Sequence, residues 1–89
     1  MAIAHRTARE RVDAIETRAD LVEFIRELRE DLHRNPGHWA NPILDDYLEA
    51  MAAWVEDMNG YYVNRGEPVP EQPTWKVIGD ILMAAKMYS

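Results

Sequence analysis

Three stretches of the chain repeat apolar residues at the three-and-four spacing of an amphipathic helix. In the first, Leu21, Phe24, Ile25, Leu28 and Leu32 share one face, and Thr17-Arg18-Ala19-Asp20 ahead of them reads as a capping box. This helix is expected to run to about Arg34, with Glu30 and Arg34 as an exposed pair. The second stretch, Asn41 to Gly60, is the one the rest is expected to organise around. Its Ile43, Leu44, Tyr47, Leu48, Met51, Trp54, Val55 and Met58 fall in one sector about 140° wide. Asn41 suits an N-cap, Pro42 the first helical position and Asn59-Gly60 a left-handed stop. Asp45 and Asp46 complement the positive end of the dipole. The third stretch follows Thr74, a cap, and runs from Trp75 to about Met87. Trp75, Ile78, Ile81, Leu82, Ala85 and Tyr88 form its main sector. Met83 and Met87 lie away from it, near Lys76 and Asp80, as a second apolar patch.

The connecting segments carry their own signals. The first six residues are expected to fray. Thr7-Ala8-Arg9-Glu10 is another capping box, and Ala8, Val12 and Ile15 are spaced for one face of a short helix. Carrying that wheel on to Leu32 moves the apolar sector by roughly 150°, which predicts a break at Thr17. Arg6, Arg9 and Arg11 make this end basic; they form either a solvated helix face or an arm against an acidic segment. Asn35-Pro36-Gly37 turns the chain, and Trp39 sits where it would plug a helix junction. Residues 60–73 hold three prolines and two glycines, which predicts a long Pro-rich ordered loop with a tight turn at Asn64-Arg65-Gly66.

Composition narrows the class. With 89 residues, 47% of them hydrophobic, the chain can build one small core and is not a disordered polymer. It has no cysteine, which removes disulfides and thiol chemistry. No apolar run spans a bilayer and no signal-like core opens the chain, so a cytoplasmic location is the default expectation. The net charge of −6 is uneven. Between Asn35 and Asn64 there is no Lys or Arg, and there are five acids: Asp45, Asp46, Glu49, Glu56 and Asp57. An acidic face argues against direct nucleic-acid binding and for a basic protein partner.

Catalytic signals are sparse. His5, His33 and His38 have no ligand spacing between them, and the only serine is the terminal Ser89. No phosphate-cradling glycine loop occurs, and no metal or cofactor is expected. Asp57, Tyr61, Tyr62 and Asn64 are the nearest approach to a polar-aromatic site, which leaves an enzyme or small-ligand binder as the weakest class.

A resemblance covers roughly Leu21 to Tyr88. Trp39-Ala40-Asn41, Leu48-Glu49-Ala50, Trp54, Asp57 through Asn64, Pro73-Thr74-Trp75 and Leu82 through Tyr88 occur in an order similar to a family of small bacterial domains of unknown function. It implies one compact domain built around Trp39, Trp54 and Trp75, and it carries no site. The expected fold is all-α: three main helices, or four with the N-terminal one, and a compact core over about 18–88. Trp39, Trp54 and Trp75 are expected to share that core with Phe24 and Leu28.

The leading functional expectation is an acidic protein-binding module, immunity- or antitoxin-like, that presents Asp45, Asp46, Glu49, Glu56 and Asp57 to a basic partner. The competing class is a structural or accessory domain that self-associates weakly through Met83 and Met87.

Overall fold

The computed structural model describes residues 8–88. They form α1 (Ala8–Asp13), α2 (Arg18–Arg34), a 3-10 turn (Pro36–His38), α3 (Leu44–Asn64) and α4 (Trp75–Met87), with no strand among the described residues. The all-α class therefore holds, with four helices. The fraying of the first six residues and the Thr7 cap lie outside the described residues.

Helix starts follow local chemistry where a side chain is available for it. The break at Thr17 is present. The Thr17 hydroxyl accepts from the Asp20 N–H at 3.1 Å, and the Asp20 carboxylate accepts from the N–H groups of Thr17 (3.2 Å) and Glu16 (3.0 Å). The bond from Glu16 is the main reason the Asp20 carboxyl lies below its ordinary pKa. Thr74 caps α4 by accepting from the Val77 N–H at 3.1 Å. The exposed Arg34–Glu30 pair forms at 3.0 Å.

The Asn41 to Gly60 helix is shifted by several residues. Asn41 does not cap it. Its side chain donates instead to the carbonyls of Ala85 (3.1 Å) and Tyr88 (2.6 Å), and the Ala40 and Asn41 N–H groups donate to the Lys86 carbonyl. Asn41 thus satisfies the C-terminal carbonyls of α4, which no helical partner could reach. α3 starts at Leu44 behind Ile43, which offers no side-chain cap. The helix also runs through Asn59-Gly60, because Tyr61 and Tyr62 find packing on the same helix and on α4. It stops at Arg65. There Gly66 takes φ +69°, its N–H bonds the Val63 carbonyl (3.0 Å), and the Glu67 N–H bonds that of Tyr62 (2.9 Å). This is a Schellman stop. Tyr61, Tyr62 and Asn64 are therefore helical residues and not loop residues.

The hub is α4, not α3. α4 packs against α1, α2 and α3. One cluster joins Val12, Ile15, Leu21, Phe24, Leu28 and Trp39, with Ile78, Leu82 and Met83 of α4 against it. Another joins Trp54, Tyr62 and Val77, with Met58, Tyr61, Ile81 and Ala84 against it. The core therefore begins before residue 18, at Val12 and Ile15. The turn after α1 comes so close to α4 that a Cβ on Gly79 would lie 2.5 Å from Ile15 Cδ1. The three tryptophans do not share one core. Trp39 packs with Phe24 and Leu28, Trp54 lies in the other cluster, and Trp75 is 42% exposed. Trp75 borders an open groove with Ile15, Pro73 and Ile78.

Candidate functional site

The outward side of α3 carries most of the residues that the sequence singled out. Its 140° apolar sector separates into two rails. Tyr47, Ala50, Trp54, Met58 and Tyr61 recur at i, i+3, i+7, i+11 and i+14 and are buried or half-buried. Leu44, Leu48, Met51 and Val55 recur at i, i+4, i+7 and i+11, about 90° further round. Leu44, Leu48 and Val55 are exposed, as is Ile43 at the cap, contrary to their expected place in the core. The physical reason is the partner. α3 packs mainly on α4, and one helix covers one stripe of another, not a 140° arc.

Beyond the exposed rail lie the acids. Asp45, Glu49 and Glu56 run along its far edge, and Asp46 and Asp57 lie further round; all five are exposed. Among the described residues, none of Asp45, Asp46, Glu49 and Glu56 is ion-paired. Asp57 accepts a 2.6 Å bond from the Tyr88 hydroxyl, which raises the Tyr88 pKa. Of the N-terminal bases, only Arg11 has a described side chain, and it does not reach this row. Arg11 faces Glu27 of α2 at 3.6 Å, while Arg6 and the side chain of Arg9 lie outside the described set.

The polar-aromatic candidates have other partners. Tyr62 is buried, and its hydroxyl donates to Asp80 Oδ2 at 2.5 Å. Lys76 donates to the same oxygen at 3.2 Å and lies 3.6 Å from Asp13. Asp80, 2% exposed, thus ties α3 and α4 together, with Lys76 reaching on to α1. Tyr61 meets Trp54 edge-on at 5.3 Å and lies under the Arg65 guanidinium at 5.4 Å. Asn64 is exposed at the end of α3. The two methionines differ: Met83 packs against the first core cluster, whereas Met87 is exposed. Both border a pocket of about 230 Å³ with Trp54, Tyr61, Asp80 and Lys86.

Sequence reasoning missed a second network. Asp31 Oδ2 accepts from the Trp39 indole N–H (2.8 Å) and from Lys86 Nζ (2.9 Å), and Oδ1 accepts from Asn35 (3.1 Å). Lys86 also lies 5.3 Å from the centre of the Trp39 ring. The Lys86 bond, helped by those of Trp39 and Asn35, holds the Asp31 carboxyl down to about 2. Asp31 sits 55 residues from Lys86, so no local spacing announces the pair.

The chain belongs to a family of unknown function, DUF7660, whose model matches residues 17–89. The match starts at the Thr17 capping box and takes in α2, α3 and α4, with α1 ahead of it. No curated protein and no solved structure matches the chain.

Proposed function

We propose that this protein is a protein-binding module that receives a basic partner on the acidic outer face of α3. The observation that carries the reading is the row of Asp45, Asp46, Glu49 and Glu56. These are exposed carboxylates with no neutralising base among the described residues, on a segment where no Lys or Arg occurs between 35 and 64. Unneutralised like charges on one helix cost stability, so a solvated row of this kind gains most from an external cation-rich surface. Masking a basic protein, as an immunity or antitoxin protein does, is the concrete form of this role.

The test is capture from the native cell extract by the wild type and by a double reversal, Asp46→Lys with Glu49→Lys. Both side chains point away from the core, so the fold is retained. Partner capture by the wild type should be lost in the reversal. Association should also slow as salt rises, because the Debye length falls from about 30 Å at 0.01 M to about 8 Å at 0.15 M. Identical captured proteins from both baits would reduce the acidic row to a solubility device.

A second reading, self-association through α4, draws on the exposed Met87 beside the 230 Å³ pocket. It predicts a weak dimer in sedimentation that Met87→Glu abolishes; a monomer at high concentration removes it.

A further inference from the structure

The acidic row has an apolar neighbour that charge alone does not explain. Ile43 is 63% exposed, Leu44 70%, Leu48 52% and Val55 41%. With the half-buried Met51, the last three make a straight stripe of three helical turns, about 16 Å long. Isolated exposed aliphatics are ordinary on a protein surface; an aligned set on one helix face marks an interaction site.

We infer that this stripe docks an amphipathic helix of a basic protein partner, with leucine-like anchors on the stripe and Lys or Arg along the edge that meets Asp45, Glu49 and Glu56. The inference rests on the acidic-face reading and specifies the partner's shape. Charge complementarity selects the occupant. A second copy of this chain, paired antiparallel through the stripe, would bring one acidic row against the other, and in either two-fold orientation each copy carries a net charge of −6. An anionic membrane surface would be repelled by the same row. A basic helix meets both demands. Its apolar face follows the i, i+4, i+7, i+11 spacing of the stripe, and its long basic side chains lay their stems on apolar surface while their heads reach the carboxylates.

The probe is a synthetic peptide of roughly 18 residues, about five helical turns, made of leucine and lysine with the leucines on one face. A scrambled peptide of equal composition is the control. Amide chemical shifts of the full chain are followed during titration with each. The inference predicts shifts centred on residues 44–56 and tighter binding of the amphipathic peptide than of the scrambled one. Leu44→Ser and Leu48→Ser should each weaken the amphipathic complex about tenfold, the effect of losing one buried aliphatic anchor. Folding of both variants is verified by chemical denaturation.

Three results would overturn the docking inference. The first is equal binding of both peptides by the wild type, undiminished in the serine variants. The second is shifts outside α3, or no shifts at millimolar peptide. The third is a wild-type dimer in sedimentation that the serine variants dissolve, which would make the occupant a second copy. If the first result comes with loss of binding in the Asp46→Lys, Glu49→Lys reversal, the acidic-face reading survives without the apolar dock. If that reversal binds the amphipathic peptide as the wild type does, the acidic-face reading itself fails.

Discussion

Asp31 shows how one side chain joins segments that are far apart in sequence. It collects the Trp39 indole, Lys86 and Asn35, and so joins α2, the turn after it and the end of α4. Its carboxyl is held down to about 2, chiefly by the Lys86 bond, against an unfolded value near 3.8. A depressed carboxylate stabilises the fold above its unfolded pKa, and that contribution is lost as pH falls through the folded value. The window is therefore about pH 4 down to 2. The carboxylate is partly solvated, so its worth is roughly 1 kcal/mol after screening. Asp31→Asn should lower stability by about that much at neutral pH. The difference from wild type should shrink steadily as both are titrated from about pH 5 toward pH 2, read by urea denaturation at each pH. A difference as large at pH 2 as at neutral pH would mean the aspartate acts by packing and not by charge.

At the scale of the element, local signals were legible wherever a side chain had no better partner. The Thr17 and Thr74 caps, the break at Thr17, the end of α4 and the turn at Gly66 could all be read in the sequence. The bounds of α3 differ from the local pattern because one apparent cap is used elsewhere and the other is overridden. Asn41 closes the C-terminus of α4, and Asn59-Gly60 is overridden by the packing of Tyr61 and Tyr62. Asn41→Ala should remove two hydrogen bonds from the last carbonyls of α4 and cost about 1–2 kcal/mol. It should also speed amide exchange in the last turn of α4, which a lost α3 cap would not do. Unchanged exchange there would contradict the assignment. The face of α3 was legible only in part. Periodicity gives the apolar arc, but the width of that arc that is covered depends on how many helices lie against it, and no single-chain pattern encodes that.

At the scale of the molecule, α4 is the organising element. It is apolar on most sides because three helices pack on it, and its buried Gly79 and Asp80 serve that crowding. The glycine admits Ile15, and the aspartate anchors Tyr62. In the sequence α4 shows a main apolar sector and a second patch, Met83 and Met87, near Lys76 and Asp80, with Lys86 in its last turn. In the fold each of these charges reaches across to another element. α1 also matters more than its thin apolar content suggests. Val12 and Ile15 are buried, although the family match starts at Thr17. Deleting residues 1–16 should therefore cost about 3 kcal/mol or more, at roughly 1.5–3 kcal/mol per buried aliphatic side chain. Chemical denaturation of the truncated chain checks this; an unchanged midpoint would remove α1 from the core.

The docking face proposed for α3 depends on that helix having one covered rail and one open rail. Equilibrium denaturation of Trp54→Ala beside Leu48→Ser tests that directly. Trp54 is packed against Tyr61, Tyr62 and Val77, so its truncation should cost about 3–5 kcal/mol. Leu48 lies on the open rail, so its replacement by serine should leave stability within about 0.5 kcal/mol of wild type. A loss for Leu48→Ser comparable to that for Trp54→Ala would place the leucine in the core and leave no docking face on α3.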